Sequence, residues 1–243
     1  MHRELFDRKL PVLFTSATLA HGGSFNYLRR ILNLPSAGQS RVDAPFDYAS
    51  QALIYLPEQA PANPVAHLLE VLAATGGRAL VLVESEPELE QLRHALGGRR
   101  LPWPVLWEGD AERAELLRRF REEGPAVLVG TSFWEGVDVP GEALSCVAVL
   151  RLPFPVSEPL VASRREDADK AGMDPFLAVD VPEMALKVKQ GFGRLIRTTA
   201  DRGVFALLDL SFIDSAYEEA VRSAFPEDSE TVHTLAAVRE FLA

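Results

Sequence analysis

Uniformly apolar runs of four to six residues alternate along this chain with segments in which leucines recur every three or four positions. Runs at 11–15, 52–56, 79–83, 104–107, 126–129, 145–150 and 204–208 predict strands. Successive residues in each run are apolar, so each strand should be covered on two faces, the pattern of a parallel sheet. Between the runs, 64–75 presents Leu68, Leu69 and Leu72 at helical spacing, 87–96 presents Leu89, Leu92 and Leu96, and 112–121 presents Leu116, Leu117 and Phe120. Further helices are predicted over 182–197, 211–224 and 231–242, with a short one near 25–32. Gly22-Gly23, Gly76-Gly77, Gly97-Gly98 and Pro140-Gly141 punctuate the connections. Alternating strand and helix predicts one doubly wound α/β domain over 1–243, with 152–181 as a helical excursion from the sheet.

The composition, 47% hydrophobic and 25% charged over 243 residues, suits a globular core. No apolar stretch approaches the roughly 20 residues that span a bilayer, and the polar first nine residues do not resemble a secretory leader. The single cysteine, Cys146, leaves no intrachain disulfide and no cysteine cluster for zinc or iron–sulfur; a cytoplasmic setting is expected. The net charge of −10 opposes binding to phosphate by the surface as a whole. Nucleic-acid binding would need a local patch, and basic residues do gather at 151–165 and 187–202.

One absence shapes the chemistry. No G-x-x-x-x-G-K-[ST] loop occurs to cradle nucleotide phosphates, and no Asp-Glu pair ends an apolar strand to hold a metal. Independent ATP hydrolysis is therefore not expected. No G-x-S-x-G occurs, and His2, His21, His67, His94 and His233 are scattered, which disfavours a hydrolase triad.

Four segments carry candidate chemistry. GTSFWEGVDVPG (130–141) follows a strong strand, where ligands of open parallel sheets gather; Thr131, Ser132, Glu135 and Asp138 can face such a site. Phe133 and Trp134 read either as core plugs or as aromatics that position a nucleic-acid strand. In QGFGRLIRTTADRG (190–203), Gln190, Arg194 and Arg197 would share one helix face, an arrangement suited to a polyanion such as a triphosphate. Gly191 and Gly193 are costly inside a helix, which implies close backbone approach or a break in the helix. LFTSATL (13–19) runs a strand into a small-hydroxyl turn. In VLVESEP (81–87), Ser85 reads as a helix cap or a polar contact.

Together these segments resemble the C-terminal motor domain of superfamily 2 helicases, specifically the DinG/XPD-like group. LFTSATL looks like motif III, VLVESEPELEQL like motif IV, GTSFWEGVDVPG like motif V, LRLPFPVSEP (150–159) like the segment that follows it, and QGFGRLIRTTADRG like motif VI. The resemblance implies a RecA-like α/β fold without its own phosphate loop, with helices on both faces of a mainly parallel sheet. It implies that Arg194 and Arg197 act as arginine fingers on ATP held, with Mg²⁺, by a first motor domain, and that Gln190 orients the site. Asp138, Glu135, Gly136 and Gly193 would serve the nucleotide; Thr131, Ser132, Ser85 and Trp134 would contact single-stranded DNA, on which this group moves 5′ to 3′. The group's iron–sulfur insertion belongs to the first motor domain, and residues 1–20 would form the junction with it. The competing reading is a non-catalytic module that grips nucleic acid or protein. The fingers and the loop 130–141 are expected close together, at the carboxyl ends of the strands.

Overall fold

The computed structural model describes residues 11–20, 22–42, 44–136, 139, 141 and 143–243; His2, His21 and Asp138 lie outside them. Seven strands, β1 (Ala52–Tyr55), β2 (Ala79–Leu82), β3 (Val105–Trp107), β4 (Val127–Gly130), β5 (Cys146–Val149), β6 (Gly203–Leu207) and β7 (Glu230–Val232), form one sheet. Their order is β3-β4-β2-β5-β6-β1-β7 and every neighbouring pair is parallel. Register pairs Leu80 with Leu128 and Val147, and Phe205 with Val147 and Ile54.

Helices in chain order are α1 (Asn26–Ile31), α2 (Tyr48–Gln51), α3 (Pro64–Ala74), α4 (Glu86–Leu96), α5 (Arg113–Glu122), α6 (Pro159–Lys170), α7 (Val181–Phe192), α8 (Glu218–Arg222) and α9 (Leu235–Leu242). A π-helical turn, Phe176–Asp180, leads directly into α7. Alternate strand residues serve two cores. Ile54, Leu80, Leu82, Val147, Val149, Phe205 and Leu207 pack against Phe120 of α5 and Met184, Val188 and Phe192 of α7. Leu53, Val81, Val127, Val129, Ala148 and Val204 pack against Leu68 and Leu72 of α3, Leu89 and Leu92 of α4, and Val238 of α9. This two-sided burial is why the strands read as unbroken apolar runs.

Four expectations need correction. Residues 11–15 form no strand, and Leu13 is 88% exposed; an apolar run makes a strand only where a neighbour offers a ladder. Residues 230–232 supply the seventh strand instead of starting the last helix, which begins at Leu235. An edge strand of pattern Glu-Thr-Val is half solvated and carries no apolar run to signal it. Of 211–224 only Glu218–Arg222 is α-helical. Asp214 there takes φ 58°, and the Asp209 carboxylate and Ser215 hydroxyl bond nearby backbone amides, the local competition that breaks helices. Finally, α7 ends at Phe192 and not at 197.

Candidate functional site

The loop after β4 is built from its buried aromatics outward. A single 3₁₀ turn, Ser132–Trp134, turns both rings inward, and Phe133 and Trp134 join the core beneath α7. Trp134 is 2% exposed, and its indole Nε1 donates to the Val83 carbonyl at 2.8 Å. Its ring therefore buttresses the loop, as the core-plug reading has it, and offers no open face for the contact with single-stranded DNA that the resemblance implied. Gly191 explains how α7 comes so near. A Cβ at that position would stand 3.0 Å from the Trp134 ring and 3.1 Å from Leu82, so the glycine allows the close approach its cost implied. Lys187, one turn earlier, lies 5.4 Å from the Trp134 ring centroid and pairs with Glu84 at 2.6 Å. Burial raises the Glu84 carboxyl while Lys187 opposes that rise.

At the carboxyl end of β4, Glu108 organises the polar face of the loop. One of its oxygens accepts the Thr131 amide, the Thr131 hydroxyl at 3.1 Å and the Ser132 amide at 3.1 Å. Burial works to raise this carboxyl, yet the bonds from Ser132 and Thr131 outweigh it and hold the pKa below its ordinary value. Arg113, at the start of α5, stacks over Phe133 at 5.0 Å and donates to the Ser132 carbonyl and hydroxyl and the Glu135 carbonyl. Ser85 caps α4 by accepting the Glu88 amide. Glu86 beside it reaches the Thr131 hydroxyl at 3.5 Å, so Ser85, Thr131 and Ser132 gather at one end of the sheet, among carboxylates.

Arg194 and Arg197 take different places. Both lie beyond the end of α7, with Gly193 as its cap. Arg194 is half-buried, and its Nε and one terminal nitrogen donate to the Trp134 carbonyl at 2.9 and 2.7 Å. This paired contact latches the turn Ser132–Trp134 to the helix end. Arg197 is exposed, and its guanidinium reaches back toward the Gly193 carbonyl at 3.5 Å.

The Arg197 backbone is fixed by Asp201, which is 5% exposed. Asp201 Oδ2 accepts the amides of Arg197 and Thr198, each at 2.7 Å, and Oδ1 accepts the amide of Gly141 at 2.9 Å. Burial tends to raise this carboxyl, but the amides of Arg197, Gly141 and Thr198 hold its pKa below the ordinary value. Gln51, at the end of α2, completes the support. Its side-chain amide donates to the Thr198 and Asp201 carbonyls at 3.0 and 2.8 Å.

This geometry corrects the expected location. Asp201 lies two residues before β6, so Arg197 and Gly141 meet at the amino ends of β5 and β6, while Thr131 stands at the carboxyl end of β4. The chain leaves β4 at Thr131 and returns with Gly141 ahead of β5, at the opposite end of the sheet.

An open cleft collects the rest. Gln190, Gly193, Arg194 and Arg197 line it together with Glu135 and Gly136 of the loop and with residues 12–20. Gly136 takes φ 66°, the left-handed conformation a glycine tolerates. Within 12–20, Ser16 and Thr18 share a hydrogen bond at 3.2 Å, and Lys189 donates to the Ala20 carbonyl at 3.3 Å. Sequence reasoning did not single out Glu108, Asp201 or Gln51. Asp201 left a trace, an acid four residues after an arginine and just ahead of a strand; a polar residue next to a buried strand also described Glu108.

The model of the family described as helicase C-terminal domain matches residues 68–228. The chain is 39% identical over 203 residues to the probable ATP-dependent helicase YpvA of Bacillus subtilis, covering 82% of this chain and 31% of that protein. It is 38% identical over 238 residues to the ATP-dependent DNA helicase YoaA of Haemophilus influenzae (94% and 37%). It is 34% identical over 244 residues to the ATP-dependent helicase DinG of Mycobacterium tuberculosis (95% and 36%). The chain thus spans about a third of the length of these relatives. Among solved structures, the fold matches apo XPD with a TM-score of 0.61 at 14% identity, over 86% of this chain and 46% of that one. It matches yeast Dbp5 bound to RNA and ADP–beryllium fluoride with a TM-score of 0.55 at 18% identity, over 90% and 52%. At such identities these two likenesses speak to the RecA-like fold alone.

Proposed function

The chain belongs to the helicase C-terminal domain family, and from that premise we propose that it is the second motor half of a DinG/XPD-like, ATP-dependent DNA helicase. The observation that carries this reading is the shared cleft. Gln190, Arg194 and Arg197, the turn Glu135–Gly136 and the hydroxyls of 15–18 all line it, as expected of a surface that closes on nucleotide bound elsewhere.

In this reading the phosphates of ATP and their Mg²⁺ are held by a first motor half. Among the described residues no group of three His, Cys, Asp or Glu side chains gathers to hold a metal. Arg197 would enter from the side opposite the phosphate loop and stabilise the charge that spreads over the transferring phosphoryl oxygens. Arg194 would serve the same charge while its grip on the Trp134 carbonyl reports the state of the site to the loop. Gln190 would orient the attacking water or the arginines, and Gly136, Glu135, Gly193 and Asp138 would shape the nucleotide edge.

Thr131, Ser132 and Ser85 would meet the phosphates of single-stranded DNA, a contact without sequence preference. Glu108 and Glu86 stand beside these hydroxyls, so phosphate must approach against negative charge. That argues for weak binding by this half alone and for a groove completed by its partner. Translocation from 5′ to 3′ follows from the family resemblance.

The test is DNA-stimulated ATP hydrolysis by this chain, alone and with the first motor half. Turnover only in the combination is expected. Robust turnover by the chain alone would sink the half-motor reading.

A further inference from the structure

A buried carboxylate that accepts three backbone amides from two separate loops is an unusual expenditure of charge, and nothing in the proposed chemistry assigns it a task. We infer that Asp201 is the positioning residue for Arg197 and the joint that couples it to the loop 131–141. The inference deepens the half-motor reading and rests on it for its catalytic consequence, though not for its structural content.

The two carboxylate oxygens of Asp201 divide the work. Oδ2 holds the amides of Arg197 and Thr198, and so sets the direction in which the Arg197 side chain leaves the backbone. Oδ1 holds the amide of Gly141, at the far end of the loop that begins with Thr131 and Ser132. Gln51 pins the carbonyls of Thr198 and Asp201 from below, so the carboxylate itself sits on a fixed base. At the near end of the loop Glu108 and Arg113 hold Thr131, Ser132 and Glu135, and Arg194 grips the same stretch at Trp134. Asp201 is thus where Gly141, at the end of the segment that begins with Thr131 and Ser132, is joined to the backbone of the exposed arginine. Only an acceptor with two oxygens can make both connections. An asparagine has one, and whichever loop it keeps, its amide nitrogen faces the other loop's N–H.

Two substitutions separate positioning from coupling. Backbone amide exchange of the 243-residue chain, read by NMR, comes first because it needs no ATP and no partner. In Asp201→Ala the amides of Arg197, Thr198 and Gly141 should all exchange faster, on the order of tenfold, as expected for the loss of one buried hydrogen bond each. Asp201→Asn should speed exchange at Gly141 or at the Arg197–Thr198 pair but not at both. Unchanged protection at all three sites in Asp201→Ala, or equal loss at both loops in Asp201→Asn, overturns the structural claim. If the alanine variant does not fold, the asparagine variant still decides it.

Turnover with the first motor half then tests the consequence. Asp201→Ala should lower kcat on the order of 100-fold, the usual penalty of a small misplacement at a reacting centre, with little change in KM for ATP. Combining it with Arg197→Ala should add almost nothing further, because the carboxylate acts through the arginine. Additive losses, or wild-type kcat in Asp201→Ala, would overturn the positioning role. Wild-type kcat in Arg197→Ala would instead remove Arg197 from the reaction, and with it the catalytic consequence, while leaving the exchange result standing; turnover by the chain alone is what would overturn the half-motor reading.

Discussion

At the scale of single residues, two arginines that look equivalent in the sequence are placed differently. Arg194 is bound to a carbonyl inside the loop 131–141, while Arg197 is exposed to the cleft. With the first motor half present, Arg197→Ala should reduce ATP turnover by about 10³-fold, the lower range for an arginine finger, while single-strand affinity is retained. A steady-state assay and a binding titration on the same sample check this; normal turnover would remove Arg197 from the reaction. Arg194→Ala should also loosen Trp134, visible as a shift in its fluorescence. Asp201 adds a pH signature. Its folded pKa lies below the ordinary 3.8, so its contribution to stability is complete above that value and fades as pH falls through the lower folded pKa. Melting temperatures followed from pH 6 downward should therefore drop less steeply at the acid end in Asp201→Asn. Identical slopes would mean that the carboxylate is not held as described.

At the scale of elements, α7 packs closely on the turn Ser132–Trp134. Gly191→Val would push side-chain atoms into Trp134 and Leu82, which a Cβ alone already approaches to 3.0 and 3.1 Å. Overpacking of that kind costs about 1–3 kcal/mol, and Trp134→Ala, which opens a cavity there, about 3–5 kcal/mol; urea unfolding measures both, and a neutral result in either would contradict the packing. The same elements show what a sequence can reveal. Six strands were legible because burial on both sides makes them continuously apolar. The seventh was not, since an edge strand needs no such run. The helix bearing Gln190 was legible, but its end was not: the spacing of Gln190, Arg194 and Arg197 fits a helix, and only the capping at Gly193 shows that it stops. Segments 13–19, 130–141 and 190–203 could be recognised by their residues. Glu108, Asp201 and Gln51 could not, because their importance lies in backbone amides brought near by the fold, and such amides leave no letter in the chain.

At the scale of the whole molecule, net charge and local chemistry pull in opposite directions. With ten excess negative charges and two carboxylates at the Thr131 hydroxyl, the isolated chain should bind single-stranded DNA weakly, with affinity falling as salt rises. A titration at two salt concentrations checks this, and tight binding that persists at high salt would refute it. The topology has a consequence in time as well as in space. The loop that carries Arg197 enters β6, which lies between β5 and β1 near the middle of the sheet and is buried along its whole length. Strands in such positions open only when the entire fold opens, whereas edge strands such as β3 and β7 can fray by themselves. The mooring of Arg197 should then last as long as the native state does, through very many cycles of cleft opening and closing, while wear on the domain begins at its margins.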